Sequence, residues 1–214
     1  MEKRTLSAEM KRRILMTVVG VLVTGFSVGM FEFSNFGVDP FQVIAHGIWL
    51  NTDWGFGNLY TVINIIMLIM VFLFDRKKIG LGTLINIFLL GYVAEFSGNL
   101  WKTLVPAPSF WVRAVFLLTA VIITCLGASL YFTGDLGVST YDAVALYISQ
   151  HQNKVPFAYC RIATDLFCVV VGFLLGADFL SGYTGIGTII TAFFMGPLIS
   201  FFNKRISIPF RTKQ

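Results

Sequence analysis

Charge is scarce in this chain. Asp, Glu, Lys and Arg make up only 13% of its 214 residues, about half the share of an ordinary soluble domain. Histidine occurs twice, cysteine three times and proline six times. His46 and His151 stand far apart and no cysteine pair accompanies either, so no zinc set is expected. Cys125, Cys160 and Cys168 all lie in apolar runs; an odd count with no short spacing excludes a disulfide framework and leaves them as small hydrophobes. His-Glu-x-x-His, Gly-x-Ser-x-Gly and the dinucleotide fingerprint are all missing. No enzyme activity, metal or cofactor is therefore expected.

Apolar surface fills the place of the missing charge. The chain is 56% hydrophobic with 22 phenylalanines, and its mean hydropathy is +0.78. A soluble domain could not hide so much, so lipid must be the main solvent. The net charge of +5 could suggest nucleic acid, but position argues otherwise. Twelve of the sixteen basic residues lie before the first apolar run, in the Arg76-Lys77-Lys78 loop, or from Lys204 onward. That places the termini and this loop in the cytoplasm, as positive-inside bias requires. The basic-then-apolar start imitates a signal peptide, but lacks a small-x-small site followed by a soluble domain; it reads as a retained first span.

Two markers repeat in the same order. Gly37-Val38-Asp39-Pro40-Phe41-Gln42 returns as Gly137-Val138-Ser139-Thr140-Tyr141-Asp142, and Gly80-Leu81-Gly82-Thr83 returns as Gly185-Ile186-Gly187-Thr188. The pattern predicts an internally duplicated, all-α integral membrane protein. Six spans are expected over 14–34, 59–74, 80–100, 111–134, 157–177 and 183–203. Two short helices, over 40–50 and 139–150, are too short to cross and are either re-entrant or interfacial. A basic arm (1–13) and a basic tail (204–214) flank a first repeat (14–104) and a second (105–203). Three spans per repeat make the halves inverted, a build common among secondary transporters. Gly196-Pro197 predicts a kink in the last span.

The starts of the short helices supply candidate substrate-binding residues: Asp39, Gln42, Ser139, Thr140, Tyr141 and Asp142. Helix N-termini attract anions, but simple turning and capping would also explain these residues. Arg161 and Asp165 lie one turn apart. They form either a self-neutralised pair locking helices together or an anchor for a substrate carboxylate. Tyr60 and Asn64 match them in the first repeat. Glu32, Glu95 and His46 are candidates for proton coupling, against the alternatives of a wet rim for the acids and a structural role for His46. The Gly-x-Gly-Thr markers are either hinges or close-packing points.

Taken together, Gly137-Val138-Ser139-Thr140-Tyr141-Asp142, Arg161-x-x-x-Asp165, Gly185-Ile186-Gly187-Thr188 and Gly196-Pro197 resemble the YczE/YyaS/YitT group of bacterial multi-pass membrane proteins, closest to the short YczE-like members. The resemblance covers about residues 14–203. It implies a bacterial plasma-membrane protein and names no substrate. The first repeat departs from the pattern at Asp39-Pro40, Tyr60 and Asn64. The leading expectation is a secondary transporter of a small polar or anionic metabolite, such as an amino acid or other carboxylate. The alternatives are the substrate-capture subunit of a larger uptake system and a membrane scaffold for a partner protein. Expected partners are the bilayer, a small-molecule substrate and, as an open option, a second copy of the chain; nucleic acid is not expected.

Overall fold

A computed structural model describes residues 8–74, 79–151 and 157–212. All regular structure among the described residues is helical, without a strand. The order is α1 (Ala8–Ser34), α2 (Pro40–Trp49), α3 (Phe56–Phe74), α4 (Leu81–Leu104), α5 (Phe110–Gly134), α6 (Thr140–His151), α7 (Phe157–Leu174) and α8 (Ile186–Phe202). A π-helical turn (Asn203–Ser207) then leads into α9 (Ile208–Thr212).

Among the described residues, five segments are long and apolar enough to cross a membrane: Glu9–Ser34, Phe56–Leu73, Leu81–Leu104, Phe110–Gly134 and Ile186–Thr212. The sixth span expected from the sequence, α7, is not among them; it has 18 residues and carries Arg161 and Asp165. The last segment also outruns its expected end at residue 203. The π turn lets the helix absorb Lys204, Arg205 and Arg211.

α1 is the central helix, packed on α5 along one face and on α4 along another. Small residues permit both approaches. A Cβ on Gly20 would stand 2.7 Å from the Gly127 carbonyl oxygen, and one on Gly25 would stand 3.0 Å from that of Leu90. The Ser27 and Thr124 hydroxyls bridge α1 and α5 at 2.5 Å. Such polar contacts replace the hydrophobic drive that lipid abolishes between helices. The side chains facing outward are mainly apolar, among them Leu22, Phe88, Phe96, Ile122 and Leu166, as a lipid-facing surface requires.

The repeated glycine markers are the joints. Gly37 and Gly137 have φ of 105° and 110°, values that an L side chain rarely adopts. Gly37 lies against Gly185 and Thr188, and Gly137 lies against Gly80 and Thr83. The N–H of Gly187 donates to the Phe36 carbonyl at 2.7 Å, and that of Gly82 donates to the Leu136 carbonyl at 2.7 Å. Thr83 accepts from the Gly80 N–H at 3.2 Å and donates to the Val138 carbonyl at 2.7 Å. Thr188 likewise accepts from the Gly185 N–H at 3.2 Å. Each Gly-x-Gly-Thr marker is thus a close-packing point against the Gly-Val turn of the other half of the sequence.

Candidate functional site

The start of α6 is held by Ser139, whose hydroxyl accepts from the Asp142 N–H at 3.1 Å and donates to the Asp142 carboxylate at 2.6 Å. This aims Asp142 at α7, where its other oxygen takes a close ion pair from Arg161. Arg161 also donates through Nε to Asp165 at 3.2 Å. Its guanidinium lies 4.4 Å over the Tyr141 ring, and the Tyr141 hydroxyl donates to the same Asp165 oxygen at 2.6 Å. Arg161 is therefore held by two carboxylates and one aromatic face. Two charge-assisted bonds and a cation–π contact hold the guanidinium in place.

The start of α2 meets this assembly. Asp39 caps α2, accepting from the N–H groups of Phe41 at 3.2 Å and Gln42 at 3.4 Å. Asp39 lies within electrostatic reach of Arg161 and Asp165. Phe41 stacks on Tyr141 at 4.9 Å and meets Tyr60 edge-on at 5.7 Å. The Thr140 hydroxyl donates to Asn64 at 2.6 Å, and the Asn64 amide donates to the Tyr60 carbonyl at 2.9 Å. The Gln42 side chain lies beside the Tyr60 phenol; its Oε1 is buried without a partner. Asp39, Gln42, Tyr60, Asn64, Ser139, Thr140, Tyr141, Asp142, Arg161 and Asp165 thus form one cluster on α2, α3, α6 and α7.

Glu32 and Glu95 lie elsewhere, and His46 adjoins the cluster one turn along α2 from Gln42. Glu95 accepts from the Gly57 N–H at 2.9 Å at the start of α3. Glu32 pairs with Lys102 at 2.6 Å and lines a cavity of about 400 Å³ with Lys102, Arg113, Ser181 and Tyr183. His46 is fully buried. Its Nδ1 bonds the Gln42 carbonyl at 2.8 Å, and its Nε2 has no partner. The ring is stacked between Tyr183 at 4.2 Å and Phe56 at 4.3 Å. From the cavity to the cluster runs an unbroken series of rings: Tyr183, His46, Phe56, Tyr60, Phe41 and Tyr141.

Sequence reasoning missed three contributors. Phe41 joins the two halves of the cluster; its place opposite Tyr141 in the repeat was the available signal. Arg113 donates to the carbonyls of Ser34 at 2.6 Å and Asn35 at 2.8 Å, closing the end of α1. Arg13 donates to the carbonyls of Gly134 at 2.9 Å and Asp135, closing the end of α5. These two arginines occupy matching positions in the repeat. Arg13 is thus a helix-end cap as well as part of the basic arm.

Residues 11–204 match the family of unknown function DUF6198. An uncharacterized protein of Haemophilus influenzae is 28% identical over 89% of this chain and 83% of its own length. Two proteins of Bacillus subtilis are also similar. The uncharacterized membrane protein YczE is 21% identical over 85% of this chain and 81% of its own. The uncharacterized protein YyaS is 23% identical over 91% and 94% respectively. No solved structure matches.

Proposed function

The chain belongs to the DUF6198 family, whose function is unknown, and from the site we propose a secondary transporter that moves a small polar metabolite across the bacterial plasma membrane by alternating access. The observation that carries this reading is the buried polar cluster where α2 and α6 begin, since ionisable groups inside a membrane protein are costly and mark substrate or ion paths. Short helices meeting at a polar site are the transporter pattern. The paired joints support two three-pass halves of opposite sense: Gly37 against Gly185, Gly137 against Gly80, and Arg113 and Arg13 on matching helix ends. The basic residues at both ends of the sequence favour cytoplasmic termini. The ring series between cavity and cluster would act as the closed gate on one side. A carboxylate substrate at Arg161 would have to displace Asp142 or Asp165, so Arg161 serves better as an organiser of the cluster than as an open anion anchor.

Two measurements test the proposal. Lys77→Cys and Leu180→Cys, labelled in intact cells, should react from opposite sides of the membrane; labelling from the same side removes the inverted build and transport with it. Purified protein should gain thermal stability with one member of a metabolite panel, because a ligand stabilises the state that binds it. Vesicles holding the protein should then accumulate that compound, and uptake no faster than in empty vesicles would refute the reading.

A further inference from the structure

The cluster holds three carboxylates, Asp39, Asp142 and Asp165, against one guanidinium, Arg161. The two helix starts return about half a positive charge each. About one negative charge is left without a counterpart. Such an imbalance is expensive away from water unless the group is neutralised or paired. The other titratable groups facing the cluster among the described residues are Tyr60 of α3, Tyr131 of α5, Tyr141 of α6 and Cys168 of α7, none of which brings a positive charge.

A second observation points the same way. Gln42 is 3% exposed, and its Oε1 has no donor. It sits in the turn that Asp39 caps, beside the Tyr60 phenol, which itself lies within reach of Asp39 and Asp142. A buried amide oxygen left without a donor is destabilising until something donates to it. A vacant acceptor beside surplus negative charge is the complement of a cationic donor.

We propose that the cluster takes up one small monovalent cation, with the Asp39 carboxylate and the Gln42 Oε1 as its acceptors. A proton, a sodium ion and a primary ammonium share the required chemistry. The inference deepens the transporter reading by giving the charge of what that site holds, but its readout does not depend on flux.

The test is thermal unfolding of the full chain in lipid nanodiscs. Wild type is compared with Asp39→Asn at about pH 5.5 and about pH 8.5, with N-methylglucamine, sodium or methylammonium chloride at equal ionic strength. At the higher pH in N-methylglucamine, wild type should lose stability. A probe present at about ten times its Kd should then raise Tm by about 3–6 °C. Recovery with sodium assigns a metal ion, recovery with methylammonium assigns an ammonium group, and recovery only on acidification assigns a proton. Asp39→Asn removes the surplus charge and should abolish the response. Should Asp39→Asn fail to fold, Gln42→Leu takes its place and should weaken the response at least threefold. Identical dependence in wild type and variant overturns the inference. Cation-dependent stability without any flux would leave it standing while defeating the transporter reading, and the converse result would do the opposite.

Discussion

Replacing Arg161 with alanine tests whether this guanidinium is the keystone of a buried charge cluster or a free charge at a wet surface. Its side chain is 29% exposed, and those of Asp142 and Asp165 are 15% and 11% exposed. Removing it leaves two carboxylates facing each other with no counterion. Breaking a buried pair from one side costs about 3–5 kcal/mol, and the lost contact with the Tyr141 face adds about 0.5–1 kcal/mol. The partial exposure of Arg161 lets water relieve some of this, so we expect a loss of about 3 kcal/mol in reversible unfolding from mixed micelles. The cost should fall when the stranded carboxylates are neutralised. Arg161→Ala combined with Asp142→Asn and Asp165→Asn should recover about 1–3 kcal/mol relative to additivity. A loss under about 1 kcal/mol for Arg161→Ala, or strict additivity with both Asp→Asn changes, would show that the charges do not interact in the folded protein. Arg161 would then be solvated, and the cluster would not exist as described.

The joints and caps make further predictions. Gly137→Ala places a methyl group 2.6 Å from the Gly80 nitrogen and the Thr83 hydroxyl at a φ of 110°; backbone strain alone costs about 1–3 kcal/mol, and unfolding in micelles should show at least that loss. Gly37→Ala should behave alike, since its Cβ would meet Thr188 at 2.6 Å. Thr83→Val removes the donor to the Val138 carbonyl and the acceptor for the Gly80 N–H; a loss of about 1–3 kcal/mol is expected, whereas an unchanged midpoint would mean the joint is not formed. Gly20→Leu should separate α1 from α5, because its Cβ already approaches Gly127 at 2.7 Å. We expect it to abolish accumulation of folded protein, read by size-exclusion of a fluorescent fusion.

Much of this molecule was legible in its amino acids. Hydropathy marked the five long apolar helices, although α1 starts at Ala8, ahead of its expected start at residue 14, because in lipid the backbone must satisfy its own hydrogen bonds and continuous apolar helices are the way to do so. The repeated glycines marked the turns that open α2 and α6, because a positive φ leaves little choice of residue, but not the Gly-x-Gly-Thr partners that those turns pack against. The extension of the last helix to Thr212 was not legible, since basic residues at a membrane edge read as tail whether or not they are helical.

Tertiary structure decided what the sequence could only offer as alternatives. Arg161-x-x-x-Asp165 was compatible with an open anion anchor or a neutralised pair. Only the arrival of Asp142 and the Tyr141 ring from α6 shows the guanidinium engaged on both sides. Asp39 read in sequence as either a site residue or a simple cap, and only the docking of α2 on α7 brings it within the field of Arg161. Glu32, Glu95 and His46 read as proton-coupling candidates; α1 and α4 carry the two acids to other sites, and His46 lies one turn along α2 from Gln42, stacked between Tyr183 and Phe56. The reason is physical. Hydropathy and backbone strain act within a few residues and leave their mark on local sequence, whereas the balance of charge in the cluster is set by which helices meet, bringing together Asp142 from α6, Arg161 and Asp165 from α7, and Asp39 from the first half of the sequence.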